Sequence, residues 1–495
     1  MKESSIAAQQ INQLQPDEKK KVPLSNTQAF FAPKDYTIPR LVLLDDMVAL
    51  FKHENFLPNL ENTLLIGVQH ILETTVTLFD SLHALGLPYE NMYFSGKCYS
   101  TAPEIEAQVR KRGIRLMSSN KPEEFGQYEK YAYIGIQKMW HIFCRDVEKR
   151  QQPVDRVIIL DEGGRCLEKL PNWIGLKYKM AAVEQTTAGF HSKALHSLLF
   201  PLIDVAHSAV KKNLEPPLIV DAIERKFKEF MEDQRLPKDT IIGVIGNGAI
   251  GRSLCRYVLS QGYTVFIYDQ DENSFQQDLH KNFYRLSRIE DVISTANYIF
   301  GCTGKDITKG IDVLSLVKQD KVFVSCSSED KEFNSLLRAI SYGAMYVDTL
   351  SDIVFSSHNR SKITVLRGGF PFNFDRTPFS VPAKSIEVTR GLLLAACIQA
   401  ITCAHKLEEG EFIINRPNRQ CLNPMMQSYV ALHWLCRQPS EKYDPGLMKI
   451  FEDVIWIQKN SGGKPCSDPD IEKHFEIALT KLQTEIFNLK PKSKF

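Results

Sequence analysis

The sequence predicts an α/β protein made of two parallel-sheet domains, one inserted into the other, followed by a helical C-terminal region. Three observations carry this. Short apolar runs rich in β-branched residues alternate with longer helical patterns from about residue 60 to about residue 370, the alternation that builds parallel sheets covered on both faces. The stretch Asp239–Asp271 reads as strand, glycine-rich turn, helix, strand. At 495 residues the chain exceeds one ordinary domain, so two or three cores are expected.

Composition narrows the function classes. Hydrophobic content of 43% and charged content of 24% are those of a soluble globular protein, and a formal net charge of +2 gives no electrostatic reason to expect nucleic acid or an anionic membrane as partner. The eleven cysteines are scattered without a CxxC pair, and Cys255, Cys302, Cys326 and Cys397 sit in apolar runs. That pattern predicts buried, reduced thiols, no metal site and a cytoplasmic protein. The leading residues MKESSIAAQQ lack the apolar core of a signal peptide. Gly391 to Ala404 is the longest strongly apolar stretch; it contains Gln399, is too short to span a bilayer, and predicts a buried helix.

Residues 1–35 are polar and predict a flexible leader. Strands are expected at Thr63 to Gly67, Met92 to Phe94, Ile114 to Met117 and Arg156 to Leu160, with helices from Ile71 to Leu82, Glu104 to Arg112 and Phe125 to Lys149. Ligands of parallel sheets sit beyond the carboxyl ends of the strands. The polar residues to watch are therefore Gln69 and His70, Ser100 and Thr101, Asp161 and Glu162, and Glu184 to Thr187. Lys211 to Pro217 reads as a polar turn, and Leu218 to Met231 as a helical linker into the second domain.

In that domain the run Ile241 to Ile245 leads into Gly246-Asn247-Gly248-Ala249-Ile250-Gly251, and a second strand, Thr264 to Tyr268, ends at Asp269, eighteen residues beyond Gly251. This is the dinucleotide fingerprint. Gly246 allows the turn, Gly248 lets backbone approach a pyrophosphate, Gly251 lets the helix pack on the strand, and Asp269 meets the ribose hydroxyls. Ala249 and Ile250 open the helix whose N-terminus faces the phosphates. Asp269 is followed by Gln270, Asp271 and Glu272, with no basic residue there for a 2′-phosphate, so NAD is expected over NADP. Further strands are expected at Tyr298 to Cys302, Lys321 to Ser325, Ala344 to Val347 and Ile363 to Leu366, with Thr303-Gly304 making a second approach to the cofactor. A helix from Ser385 to His405 then returns to the first domain.

The expected organisation is a substrate-type domain over 36–215 and 378–405, an NAD-binding Rossmann domain over 216–377, and a helical region over 406–495. Helices in the last are expected at Met425 to Leu435, Asp444 to Gln458 and Asp470 to Leu489.

The order Leu160-Asp161-Glu162-Gly163-Gly164, Val183-Glu184-Gln185-Thr186-Thr187-Ala188-Gly189, Lys211, the glycine turn, Asp269 and Thr303-Gly304 resembles the S-adenosylhomocysteine hydrolase family over most of residues 60 to 400. The resemblance implies a tightly held NAD that oxidises the 3′-hydroxyl of a nucleoside substrate, followed by elimination, hydration and reduction. It implies Lys211 near that hydroxyl, Glu215 where the family keeps an aspartate for the ribose, Glu162 in place of an aspartate of the double-acid loop, Thr186 and Thr187 facing the nicotinamide, Asn373 on the cofactor, and assembly as a homo-oligomer. Several positions depart from the family. Gln185 stands for a catalytic glutamate, Gln69 for a histidine with His70 adjacent, Ala188 for a third threonine, and Pro216 for an asparagine. No histidine occurs in Ser325 to Glu329, none stands before Pro382, and Asn488 to Phe495 do not match the family's tail. An amide cannot exchange a proton, so the acid–base set for elimination is depleted.

Two readings follow: an NAD enzyme of nucleoside-type redox chemistry, or a catalytically silent NAD-binding regulatory protein. A third, an NAD-dependent 2-hydroxyacid dehydrogenase, ranks behind them, with His358, expected on the surface, as its nearest histidine.

Overall fold

The computed structural model describes residues 36–495 apart from 54–55, 118–124, 235, 276–280, 341–349, 408–417, 440–444, 465–467 and 490–495. The expected leader and the strand expected at Ala344 to Val347 lie outside the described residues.

Seven strands form the first sheet: β1 (Thr63–Gln69), β2 (Met92–Gly96), β3 (Arg115–Met117), β4 (Arg156–Asp161), β5 (Lys179–Glu184), β6 (Leu202–Asp204) and β14 (Arg419–Cys421). Their order across the sheet is β14-β6-β5-β4-β1-β2-β3, and every pairing is parallel. The second sheet contains β7 (Ile241–Ile245), β8 (Thr264–Tyr268), β9 (Phe283–Arg285), β10 (Tyr298–Gly301), β11 (Lys321–Ser325), β12 (Ile353–Ser356) and β13 (Lys362–Val365). Its order is β12-β13-β11-β10-β7-β8-β9, parallel except where β12 meets β13. Both sheets are thus doubly wound. Strand order reverses between β1 and β4 in one and between β7 and β10 in the other, and each reversal leaves a crevice at the strand ends.

The strands read as continuous apolar runs because both faces are covered. All seven residues of β1 and all six of β4 are buried. The Tyr128–Lys149 helix covers one face of the first sheet with Ile136, Met139, Trp140 and Phe143. The other face takes the Ala383–His405 helix, whose residues from Glu387 through Thr402 are all buried. At 23 residues it is longer than the apolar run alone predicts, because Ala383 to Arg390 extend it. It is long and apolar enough to cross a membrane by length and composition, yet 89% of its most apolar window is buried inside the protein.

The turn expected around Lys211 is instead helix. A single helix runs Ala209–Gln234 and carries Pro216 and Pro217 inside it. Two prolines remove two backbone donors. Val210, Leu214 and Leu218 are nonetheless buried along one face, and that packing outweighs the local penalty. The C-terminal helices are Pro424–Leu435, Pro445–Glu452, Val454–Asn460 and Pro469–Leu489. The second expected helix there, Asp444 to Gln458, is split because Asp453 caps a new start, accepting from Ile455 N and Trp456 N. Of the cysteines expected in apolar runs, Cys255, Cys326 and Cys397 are buried and Cys302 partly so.

Candidate functional site

The crevices of the two sheets meet at a cavity of about 410 Å³. From the first sheet come His70, just beyond β1, Glu162, just beyond β4, and Gln185, Thr186 and Ala188, beyond β5. Ile250, Gly304, Cys326, Ser327 and Asn373 come from the second half, and Lys211, Glu215, Thr389 and Arg390 from the two long helices.

His70 and Glu162 flank the switch point of the first sheet and bond to each other. Glu162 Oε1 accepts from His70 Nε2 at 2.7 Å and from Lys97 Nζ at 2.8 Å, while His70 Nδ1 meets Ser100 Oγ at 2.5 Å. Burial would raise the Glu162 carboxyl, but the charges of His70 and Lys97 and their hydrogen bonds hold it far below the usual carboxylate range. Burial pushes His70 down, against the pull of Glu162. Its ring is stacked 4.6 Å from Phe374. Glu162 Oε2 is buried and has no hydrogen-bond partner among the described residues.

Gln69 turns the other way. Alternation along β1 sends its side chain into the protein, where its Nε2 donates to Gln185 Oε1 at 3.1 Å. His70, not Gln69, reaches the cavity. Asp161 and Glu184, register partners on β4 and β5, are buried behind it. Asp161 accepts from Glu162 N and Leu167 N; Glu184 accepts from Gly163 N, Gly164 N, and Thr186 N and Oγ1. Burial raises both acids, and the charge of Asp161 raises Glu184 further.

Lys211 Nζ is ion-paired with Glu215 one helical turn on, and Glu215 Oε1 accepts from Thr389 Oγ1 at 2.9 Å. Both line the cavity. Thr186 does too, but its hydroxyl is taken up by Glu184, and Thr187 is exposed outside the lining.

The dinucleotide turn fits its cofactor. Gly246 has φ +104°, and a Cβ on Gly251 would lie 1.9 Å from the Gly246 carbonyl oxygen. Open space faces Gly248, and Ala249 begins the Ala249–Ser260 helix. Asp269 stands at the end of β8, fixed by Asn247 N at 2.5 Å and Asp271 N at 2.8 Å, with lone pairs left for ribose hydroxyls. Across the crevice Glu332 draws Thr303 N, Gly304 N and Ser327 Oγ to one buried carboxylate, tying the ends of β10 and β11 together. Asn373 Nδ2 donates to Ser380 Oγ at 3.3 Å. His358 is exposed and outside the cavity.

Residues 241–344 match the family described as the NAD binding domain of 6-phosphogluconate dehydrogenase. This is an NAD-binding Rossmann domain. The chain is also similar to uncharacterized proteins Rv0104 and MT0113 of two Mycobacterium tuberculosis strains, each 28% identical over 348 residues. Those alignments cover 69% of this chain and 65% of the relatives, just under two thirds of their length. Among solved structures it is similar to an NAD-dependent formate dehydrogenase from Staphylococcus aureus in complex with NAD, at 14% identity, 71% and 98% coverage and a TM-score of 0.33. A glyoxylate reductase from Paecilomyes thermophila gives 9% identity, 72% and 99% coverage and a TM-score of 0.33. At these scores the likeness decides neither substrate nor activity.

Sequence reasoning missed Lys97, Glu332 and Arg390. Lys97 follows β2 directly, so the strand-end rule could have found it. Arg390, a charge at the edge of the apolar run, was the visible anomaly in a helix destined for burial.

Proposed function

We propose that this protein is an NAD-dependent oxidoreductase acting on a secondary hydroxyl of a small polar molecule in the inter-sheet cavity. As the resemblance to S-adenosylhomocysteine hydrolases implies, that hydroxyl belongs to a nucleoside-type ribose. The observation supporting this is the meeting, in one cavity, of the Lys211–Glu215 pair and Glu162 with Ile250, Gly304 and Asn373 of the cofactor side.

NAD held along Gly246 to Gly251 supplies the hydride acceptor. Lys211 Nζ takes the hydroxyl proton as it hands one of its own to the Glu215 carboxylate, a relay that Thr389 holds in line. Glu162, whose carboxylate lines the cavity, accepts a neighbouring hydroxyl. Gln69 and Gln185 bind each other as amides and move no proton, so the reading stops at oxidation and reduction and leaves out elimination and hydration. That same amide pair favours the second reading, a silent NAD-binding regulatory protein. Assembly as a homo-oligomer goes with either and is read by size-exclusion with light scattering.

The test is to saturate the protein with NAD, add adenosine and then adenosylhomocysteine, and follow the absorbance of reduced nicotinamide. Reduction that falls by about 10²–10⁴ in Lys211→Ala supports the first reading. Cofactor bound but never reduced supports the second. Absence of NAD binding would overturn both.

A further inference from the structure

Arg390 is 6% exposed and lines the cavity from the Ala383–His405 helix. Its Nε donates to Thr74 Oγ1 at 3.0 Å, and among the described residues its two terminal nitrogens have neither hydrogen bond nor ion pair. The acids in its electrostatic range are Glu162 and Glu215. Each already has a cation of its own: Lys97 holds Glu162, and Lys211 holds Glu215. The charges lining this part of the cavity therefore balance in pairs and leave the guanidinium over. A buried cation without a counter-ion is costly unless something fills the place. Burial pushes Arg390 down to about 10, which still leaves it charged at neutral pH.

We infer that Arg390, aligned by Thr74, is the seat of an oxyanion on the substrate, so that the molecule taken up carries a carboxylate or a phosphate beside its reacting hydroxyl. This rests on the oxidoreductase reading and narrows its substrate class. A guanidinium whose Nε is already engaged keeps its terminal nitrogens for the ligand, and its planar fork fits the two oxygens of such an anion. Glu162 lines the same cavity, so the lining sets a carboxylate suited to a hydroxyl beside the anion seat.

The experiment uses the full chain saturated with NAD. Calorimetric titration with inorganic phosphate and with acetate, at constant ionic strength in chloride, is expected to show binding that weakens about ten- to a hundredfold in Arg390→Gln. Arg390→Lys should fall between, and Thr74→Val should weaken binding in the same direction. A loss confined to phosphate marks a phosphate-bearing substrate, and one confined to acetate a carboxylate. Should Arg390→Gln not fold, the wild-type protein decides. In the hydride assay it is expected to prefer adenosine 5′-monophosphate over adenosine, or lactate over lactamide, by about tenfold or more in kcat/KM. Anion binding unchanged in Arg390→Gln, equal use of charged and neutral partners, or Arg390-dependent binding that NAD competes away would each overturn the proposal. Arg390-dependent anion binding without hydride transfer from any hydroxy compound would sink the oxidoreductase reading and leave this seat standing.

Discussion

Replacing Glu162 by Gln should destabilise the protein strongly. Glu162 Oε1 receives His70 at 2.7 Å and Lys97 at 2.8 Å, and the three side chains are 6%, 17% and 5% exposed. An amide there leaves the Lys97 ammonium buried without its anion, and breaking such a pair from one side costs about 3–5 kcal/mol. That is a large part of the roughly 5–15 kcal/mol that holds most proteins folded. Adding Lys97→Met should recover most of the loss, since removing both charges removes the unpaired ion. The measurement is urea unfolding followed by far-ultraviolet circular dichroism at neutral pH. The same pair fixes a sign for acid. Because the Glu162 carboxyl is held low in the fold, its contribution is complete above its unfolded value near pH ~4 and disappears in stronger acid. A loss below about 1 kcal/mol in the single variant, the size of an exposed pair, would refute the reasoning. So would a double variant no more stable than the single one.

Gly251→Ala, whose Cβ would press on the Gly246 carbonyl, should weaken NAD binding between about fivefold and about 150-fold, from ~1–3 kcal/mol of overpacking. Gly248→Ala faces open space and should melt like wild type while still binding NAD more weakly, because its methyl enters the pyrophosphate's approach; fluorescence titration and a thermal melt separate the two. Asp161 and Glu184 titrate with the opposite sign to Glu162. Acids raised in the fold, Glu184 to about 8, contribute fully below pH ~4 and lose that contribution as pH rises through the folded value. The melting temperature should therefore decline from about pH 5 to about pH 9, and Asp161→Asn should flatten that decline.

The parts of the fold that are local in sequence were legible. The run from Ile241 to Asp269 carries its strand, turn, helix and acid within one supersecondary unit, and the structure reproduces it. Strand ends were legible as well, which is how His70 and Glu162 came into view, and the alternation of β1 decided between Gln69 and His70. The helix through Pro216 and Pro217 was not legible, because local chemistry argues against it and only burial of Val210, Leu214 and Leu218 argues for it. Nor was Arg390 as a member of the site. Its partner Thr74 lies 316 residues away, and no pattern along the chain joins them. Three-residue strands such as β6 and β14 carry too few side chains for alternation to register.

Strand β14 also sets an order of assembly. It comes from residues 419–421 yet lies beside β6 at 202–204, and Arg419 clasps Asp204 across that seam. Strands β7 to β13 follow one another without interruption, so a chain leaving the ribosome can complete the second sheet while β6 still shows a bare edge. The first sheet must wait for the helix at Ala383–His405 to cover its face and for β14 to cover that edge. Contacts of such long sequence separation form late, and an open strand edge invites pairing with another chain in the interval. During synthesis the cofactor half can therefore be ready to bind NAD before the other half has a finished sheet to set against it.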